Sequence, residues 1–238
     1  MALPFFYIAG YDASRKEIIL DEDTSRHVVQ VLRMSIGEKL NLTDGKGSLL
    51  TAIIKDDHKK HCLVEVEQSQ SIASTGKNVT IALSLLKNTN RFEWFLEKAT
   101  ELGVSAIVPL LCTRTEKEKF RHDRLQQILV SAMLQSQQVW LPVLHEPIAY
   151  ELLFRQEDLQ SVQHRYIAHC EEGQKQELAG ELPGAGNSRI ILIGPEGDFT
   201  PEEISMALAA HFRPVALGET RLRAETAGVI AATLLCLV

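Results

Sequence analysis

Residues 189–238 read RIILIGPEGDFTPEEISMALAAHFRPVALGETRLRAETAGVIAATLLCLV. Residues 190–193 are short, β-branched and apolar on both faces, the pattern of a strand buried in a parallel sheet. Gly194-Pro195-Glu196-Gly197 then supplies a tight turn, because Gly tolerates positive φ and Pro fixes φ while removing a donor. A helix follows, with Thr200 as N-cap, Pro201 at its first position and Glu202 and Glu203 in its positive first turn. Residues 214–217 are a second short apolar run, broken by Gly218 ahead of Glu219-Thr220-Arg221-Leu222-Arg223-Ala224-Glu225-Thr226. The last helix, expected over residues 227–238, is apolar nearly all round and must be covered on several sides. Its small residues Ala227, Gly228, Ala231 and Ala232 permit close backbone approach, within the domain or to a second subunit. In open α/β sheets ligands bind outside the carboxyl ends of strands, so both glycine turns point at one site. Taken alone, the glycines are explained equally well by tight connections without a ligand.

Upstream, residues 79–86, 106–111 and 165–169 read as strands, and 90–102 and 123–138 as helices, the first closed by Gly103. This alternation predicts a largely parallel α/β domain over residues 77–238. Phe92, Trp94 and Phe95 read as helix packing in preference to a base-stacking platform. No Gly-x-Gly-x-x-Gly follows residues 79–86, where a dinucleotide enzyme or a common Rossmann methyltransferase needs its turn. The glycine turns come late instead.

Residues 1–70 form a β-rich module with strand-like runs at 5–9, 17–20, 39–43, 48–54 and 62–66, and Asp44-Gly45-Lys46-Gly47 as a hairpin turn. One helix interrupts it, over residues 24–34, capped by Asp23 or Thr24 and with Val28, Val31 and Leu32 on one face. Arg26, His27 and Arg33 lie along its flank, near Lys39, Lys46, Lys55, Lys59 and Lys60. Each alone reads as a solvated charge; as a group they can follow a phosphate backbone. The polar stretch 68–78 (QSQSIASTGKN) is the expected linker.

With 45% hydrophobic and 24% charged residues among 238, the chain has an ordinary soluble composition and the length for one large or two small domains. A net charge of −6 argues against indiscriminate nucleic-acid binding but leaves a local basic face open. The first residues lack the basic region of a secretory signal, and no apolar run is long enough for a membrane span. Cys62, Cys112, Cys170 and Cys236 have no ligand-like spacing and are expected as reduced thiols of a cytoplasmic protein, without a metal.

Ile193-Gly194-Pro195-Glu196-Gly197-Asp198-Phe199-Thr200 with Glu202-Glu203-Ile204, and Leu217-Gly218 with Arg221-Leu222-Arg223-Ala224-Glu225-Thr226-Ala227, resemble the paired C-terminal motifs of the 16S ribosomal RNA uridine-N3 methyltransferases. These are S-adenosylmethionine enzymes of the SPOUT class. His27-Val28-Val29-Gln30-Val31-Leu32-Arg33-Met34 resembles a segment of that family's N-terminal PUA-like RNA-binding barrel. Lys87, Arg91-Phe92-Glu93-Trp94 and the run from Lys98 through Glu101 and Gly103 to Val104 are similar to its central motifs. Arg114-Thr115 follows a strand where the family has Arg with Ser or Thr. Two positions depart: Gln138 stands where Arg is common, and Asp198 where a second Gly is usual, which asks more of the turn's backbone.

The resemblance implies a PUA-like β-barrel over residues 1–70 and, over 77–238, a SPOUT-type α/β domain whose C-terminal part forms a deep trefoil knot. It implies methylation of N3 of one uridine in 16S rRNA, naked or in the assembled small ribosomal subunit. The partner state it implies is a homodimer in which one subunit's N-terminal domain presents RNA to the other's knot. Leu192, Ile193, Gly194, Glu196, Gly197, Leu217, Gly218, Arg221 and Leu222 are then expected to hold S-adenosylmethionine. Methyl transfer needs in-line positioning, and uridine N3 must lose its proton, so a base or an anion stabiliser is required. Arg223 is the candidate stabiliser, with Glu225 as its orienting partner or as the base, and Glu196 as a second candidate base. An Arg223–Glu225 ion pair that merely caps the last helix is the structural alternative. Arg26, His27, Arg33, Lys87, Arg91 and Arg114 are candidate RNA contacts. Two rival readings stand beside this one. The first is an RNA-binding protein on a knotted scaffold without methyltransferase activity. The second is a small-molecule α/β enzyme using the late glycine turns for phosphate, which leaves the β-rich module without a role.

Overall fold

A computed structural model describes residues 3–116, 119–157, 161–181 and 188–237. The chain divides into two compact units: the chain up to Ser74 with Met133–Leu141, and Thr75–Ala132 with the chain from Pro142 on.

In the first unit, β1 (Phe5–Tyr7), β2 (Glu17–Ile19), β3 (Lys39–Thr43), β4 (Ser48–Asp56) and β5 (Leu63–Ser71) make a five-stranded sheet in the order β1-β3-β4-β5-β2. Period-two alternation in β4 buries Leu50, Ala52 and Ile54, which join Leu40, Leu42 and Val64 in one core. The Asp44–Gly47 turn forms as the sequence suggests, with Asp44 Oδ1 accepting the N–H groups of Lys46 and Ser48 at 2.8 and 3.1 Å. Residues 139–141 pack on this turn: Gly47 N–H donates to Val139 O, and Leu141 N–H to Gly45 O. That pairing is why a segment so far along the chain belongs to the first unit.

Two expectations in this unit need correction. Residues 68–71 are no linker but the end of β5, where Gln68, Ser69, Gln70 and Ser71 pair with Thr51, Leu50, Leu49 and Ser48. A ladder uses backbone groups only, so polar composition here reports exposure and not irregularity. The interrupting helix starts earlier, as α1 (Glu22–Arg26), and its cap is Asp21, which accepts Thr24 N–H at 2.9 Å. It continues as a π turn, His27–Val31, closed by Leu32 N–H on His27 O. The wider turn breaks helical spacing. Val28 is therefore buried while Val31 is 66% exposed and Leu32 also faces out.

The second unit holds an entirely parallel sheet. Its strands are β6 (Asn78–Ser84), β7 (Ala106–Leu111), β8 (Val143–Leu144), β9 (Ile148–Ala149), β10 (His164–Ala168), β11 (Gln176–Glu177), β12 (Ser188–Ile193) and β13 (Arg213–Ala216). They run in the order β11-β13-β10-β12-β6-β7-β8, with β9 also on β7. The helices are α2 (Thr89–Glu101), α3 (His122–Gln135, whose last three residues fall in the first unit), α4 (Tyr150–Leu153), α5 (Pro201–Ala209) and α6 (Ala224–Leu237). Ile190 and Leu192 pack with Tyr150, Phe199 and Ile204, while alternation turns Ile191 and Ile193 to the opposite face, so β12 is buried on both. On α2, Phe92 and Phe95 are buried, but Trp94, expected to pack with them, is 43% exposed. The helix expected over 123–138 ends at Gln135, where Gln137 takes φ +56 and breaks it. The last helix begins at Ala224, three residues before expectation, which places Glu225 in its first turn, where a carboxylate is favoured. Val238 lies outside the described residues.

Candidate active site

Register across the sheet builds the site. Ala168 of β10 is the lateral partner of both Ile193 of β12 and Val215 of β13, so three strands end side by side. All three residues line one cavity of about 740 Å³ at the strands' carboxyl ends. Its walls are the turns that follow each strand.

The turn after β12 is held from several directions. Thr200 caps α5 through a reciprocal box: Glu203 N–H donates to Thr200 Oγ1 at 3.2 Å and Thr200 N–H to Glu203 Oε2 at 2.8 Å. The other Glu203 oxygen accepts Thr113 N–H at 2.7 Å, which satisfies a carboxylate that is itself buried. Arg114 Nη1 donates to the carbonyls of Gly197 at 2.7 Å and Phe199 at 3.2 Å. Asp198, which stands where the resemblance leads one to expect Gly, sits at φ +62, a conformation Asp tolerates better than most residues. Its carboxylate accepts Phe199 N–H at 2.9 Å and Cys170 N–H at 2.7 Å. The Asp198 side chain thus ties the β12 turn to the β10 loop.

Of the nine residues expected to hold a cofactor, Ile193, Gly194, Glu196, Leu217, Gly218, Arg221 and Leu222 line the cavity. Leu192 lies in the core with no exposed surface. Gly197 faces Arg114, whose Cδ would stand 3.3 Å from an added Cβ. Gly218 has φ +115, a conformation that strains any L side chain.

Among the candidate catalytic residues, Arg223 and Glu196 line the cavity and Glu225 does not. Glu196 Oε1 accepts Lys87 N–H at 3.1 Å. Glu225 is buried and meets Arg91 Nε at 3.5 Å. The alternative of an Arg223–Glu225 pair therefore gives way to Arg91–Glu225, and Arg223 stays exposed without an ion pair among the described residues.

Of the candidate RNA contacts, Arg26, His27 and Arg33 belong to the first unit and Lys87, Arg91 and Arg114 to the second. Arg26 binds Glu22 at 2.9 Å, Lys87 binds Glu116 at 2.5 Å, Arg91 is on Glu225 and Arg114 clamps the turn. The His27 ring stands edge-on to Phe6, and Arg33 is exposed at φ +56. Gln138 Nε2 donates to Ser136 Oγ at 3.0 Å.

Sequence reading missed one wall, formed by Ala168, His169, Cys170 and Lys175. The signal was available: a strand at 165–169 was expected, and neighbouring parallel strands end at the same crevice. His169 Nδ1 is buried without a hydrogen bond, and burial, then Lys175, holds this imidazole below its ordinary pKa. Among the described residues no cluster of His, Cys, Asp and Glu could hold a metal, and no helix is long and apolar enough to cross a membrane.

Residues 74–236 match the model of an RNA methyltransferase domain, and residues 20–67 that of an RNA methyltransferase PUA domain. Over 212 residues the chain is 34% identical to ribosomal RNA small subunit methyltransferase E of Synechocystis sp., covering 86% of this chain and 68% of that one. The enzyme of that name from Rickettsia conorii is 27% identical, covering 94% and 91%. The fold superposes on a "probable rRNA-methyltransferase" from Porphyromonas gingivalis with TM-score 0.87 and 37% identity, covering 97% and 95%. It superposes on a ribosomal RNA small subunit methyltransferase E from Neisseria gonorrhoeae, bound to S-adenosyl methionine, with TM-score 0.86 and 28% identity, again covering 97% and 95%.

Proposed function

This chain belongs to the RNA methyltransferase family, with a PUA domain ahead of the methyltransferase domain, and on that premise we propose that it methylates N3 of a uridine in 16S ribosomal RNA. The observation that carries the reading is the cavity at the ends of β10, β12 and β13, lined by twelve residues of the two C-terminal motifs.

S-adenosylmethionine suits this cavity on chemical grounds. A volume of about 740 Å³ falls in the range of ligand sites. The lining joins apolar side chains, Ile193, Val215, Leu217 and Leu222, to the backbone of two turns. Residues 193–196 and 217–222 would hold the nucleoside and amino-acid ends, and the bound cofactor supplies an electrophilic methyl group on a sulfonium. The chain's own part is positioning and proton management. Arg223, exposed on the cavity wall and without an ion pair among the described residues, would face the charge that develops on uracil. Glu196 lines the same cavity and is the better placed proton acceptor, since Glu225 is occupied by Arg91.

The trefoil knot and the homodimer belong to the same reading. The small residues of α6 do not themselves require a partner copy, because Gly228 packs on the Phe95 ring. Val229, Ile230 and Leu234 stay half-exposed and Leu237 exposed, which is the surface a second copy would cover. A stable monomer at micromolar concentration in sedimentation would overturn the dimer.

The function is tested by mass mapping of 16S rRNA from a strain lacking this protein, with and without complementation. One N3-methyluridine should vanish and return. Unchanged methylation would refute the reading.

A further inference from the structure

A second cavity, of about 200 Å³, opens in the same unit between the end of β6, the start of α2 and the start of α3. Its apolar lining comes from Leu85, Leu86, Phe92, Phe120 and Leu125, and its polar lining includes Lys119, Arg121 and Arg124. Arg124 is held by a two-point contact, Nε and Nη2 on the two oxygens of Glu93 at 2.6 and 2.9 Å, so its guanidinium is a fixed plate and its charge is matched. Lys119 and Arg121 are exposed and have no ion pair among the described residues. A cavity this small takes a single ring system, and an apolar pocket with free cations at its edge suits a flat base joined to phosphate.

The cavity's position gives the base its place. The segment 85–91 links it to the larger cavity, whose lining residue Glu196 accepts Lys87 N–H. Leu85, Leu86 and Asn90 line the smaller one, and the Arg91 side chain of the same segment holds Glu225 at the start of α6. Resting on the reading that the larger cavity methylates RNA, we propose that the smaller one receives an unstacked base flanking the target uridine, with Phe120 and the Arg124 plate against the base and Lys119 and Arg121 on its phosphates.

The test uses the full-length protein, Phe120→Ala, Phe120→Trp and Lys119→Ala/Arg121→Ala. Anisotropy is measured with single-stranded oligoribonucleotides carrying one abasic site at successive positions beside the uridine. Wild type should lose about tenfold in affinity at one flanking position, Phe120→Ala should be weak and indifferent to that position, and Phe120→Trp should restore the discrimination. The double variant should weaken all oligonucleotides alike and lower the salt dependence. Calorimetric affinity for S-adenosylmethionine and the melting temperature should not change. Equal RNA affinity of wild type and Phe120→Ala, or no position sensitive to base removal, overturns the proposal. Binding is read without catalysis, so a wild type that binds RNA but does not methylate it refutes the proposed function and leaves this comparison intact.

Discussion

The buried carboxylate of Glu225 faces Arg91 Nε at 3.5 Å, on the helix that also carries Phe95, and not the neighbouring Arg223. Two residues 134 positions apart, 225 minus 91, thereby join the start of α6 to the first turn of α2. One Glu225 oxygen, Oε2, has no hydrogen-bond partner, so the cation is the main compensation for burial. Arg91→Ala should cost about 1–2 kcal/mol in urea unfolding, a buried-pair penalty reduced because Arg91 is part exposed. Glu225→Gln should cost less, since it removes the charge that needs a partner. An Arg91→Ala protein as stable as wild type would show that the pair contributes nothing.

Arg223 lines the cavity without an ion pair among the described residues, so its proposed role in the chemistry can be tested apart from folding. Arg223→Ala should fold normally, bind S-adenosylmethionine within about twofold of wild type, and lose about two to three orders of magnitude in single-turnover methylation. Normal turnover would remove Arg223 from the mechanism. If the proposed uridine reaction holds, Glu196→Gln should lose rate at neutral pH and recover part of it as the pH rises, because a uridine N3 then sheds its proton unaided.

Asp198 combines a left-handed backbone with two accepted hydrogen bonds. Replacement by Asn keeps the tolerance of φ +62 and one acceptor; Gly keeps only the backbone freedom; Ala keeps neither. The expected order of stability is Asp, Asn, Gly, Ala, with Ala about 1–3 kcal/mol below wild type. Since Cys170 and Asp198 both line the cavity, calorimetric affinity for the cofactor should fall in the same order. An Asp198→Gly protein equal to wild type in both measurements would mean that the carboxylate ties nothing.

The parts of this architecture set by local pattern were legible beforehand. Thr200 and Pro201 start α5 where a cap and an N1 proline must, and β3 and β7 span the expected residues, because apolar runs bounded by turn signals leave little choice. What escaped depended on partners distant in sequence. The π turn at His27–Val31 is invisible to a 3.6-residue template, and residues 68–71 become strand only because β4 offers them a ladder. The Glu225 partner could not be guessed from the adjacent Arg223, because a helix start turns successive side chains to different faces. The wall of Ala168, His169, Cys170 and Lys175 was open to inference from the expected strand at 165–169, but its place beside β12 and β13 depended on strand order, which no local pattern encodes.

Gly228 sits within α6 against the fully buried ring of Phe95, and a Cβ there would stand 2.7 Å from two ring carbons. Helix propensity alone would make Gly228→Ala stabilising by about 1 kcal/mol. The clash reverses the sign, with a net loss of about 1–3 kcal/mol by overpacking. Adding Phe95→Leu should return part of that loss, a coupling readable in a double-mutant cycle. A stabilised Gly228→Ala would show that α2 and α6 can separate freely.

His169 should make stability fall in mild acid. Burial first, then the Lys175 ammonium, lowers its pKa from the ordinary 6.5, against the opposing carboxylates of Asp198 and Glu171. The unfolded chain therefore takes up this proton at a higher pH than the native protein does. In that interval the unfolded state binds more protons, so stability rises with pH. The contribution is complete above about pH 6.5 and is lost as the pH drops through the folded-state value. His164 is shifted the same way, by desolvation first and then by Arg213, and adds to the slope. Melting temperatures taken between about pH 7.5 and 5 should decline for wild type and decline less for His169→Gln, which carries no titrating proton. Parallel curves for the two proteins would show that the half-buried imidazole is protonated in the native state as readily as in the unfolded chain.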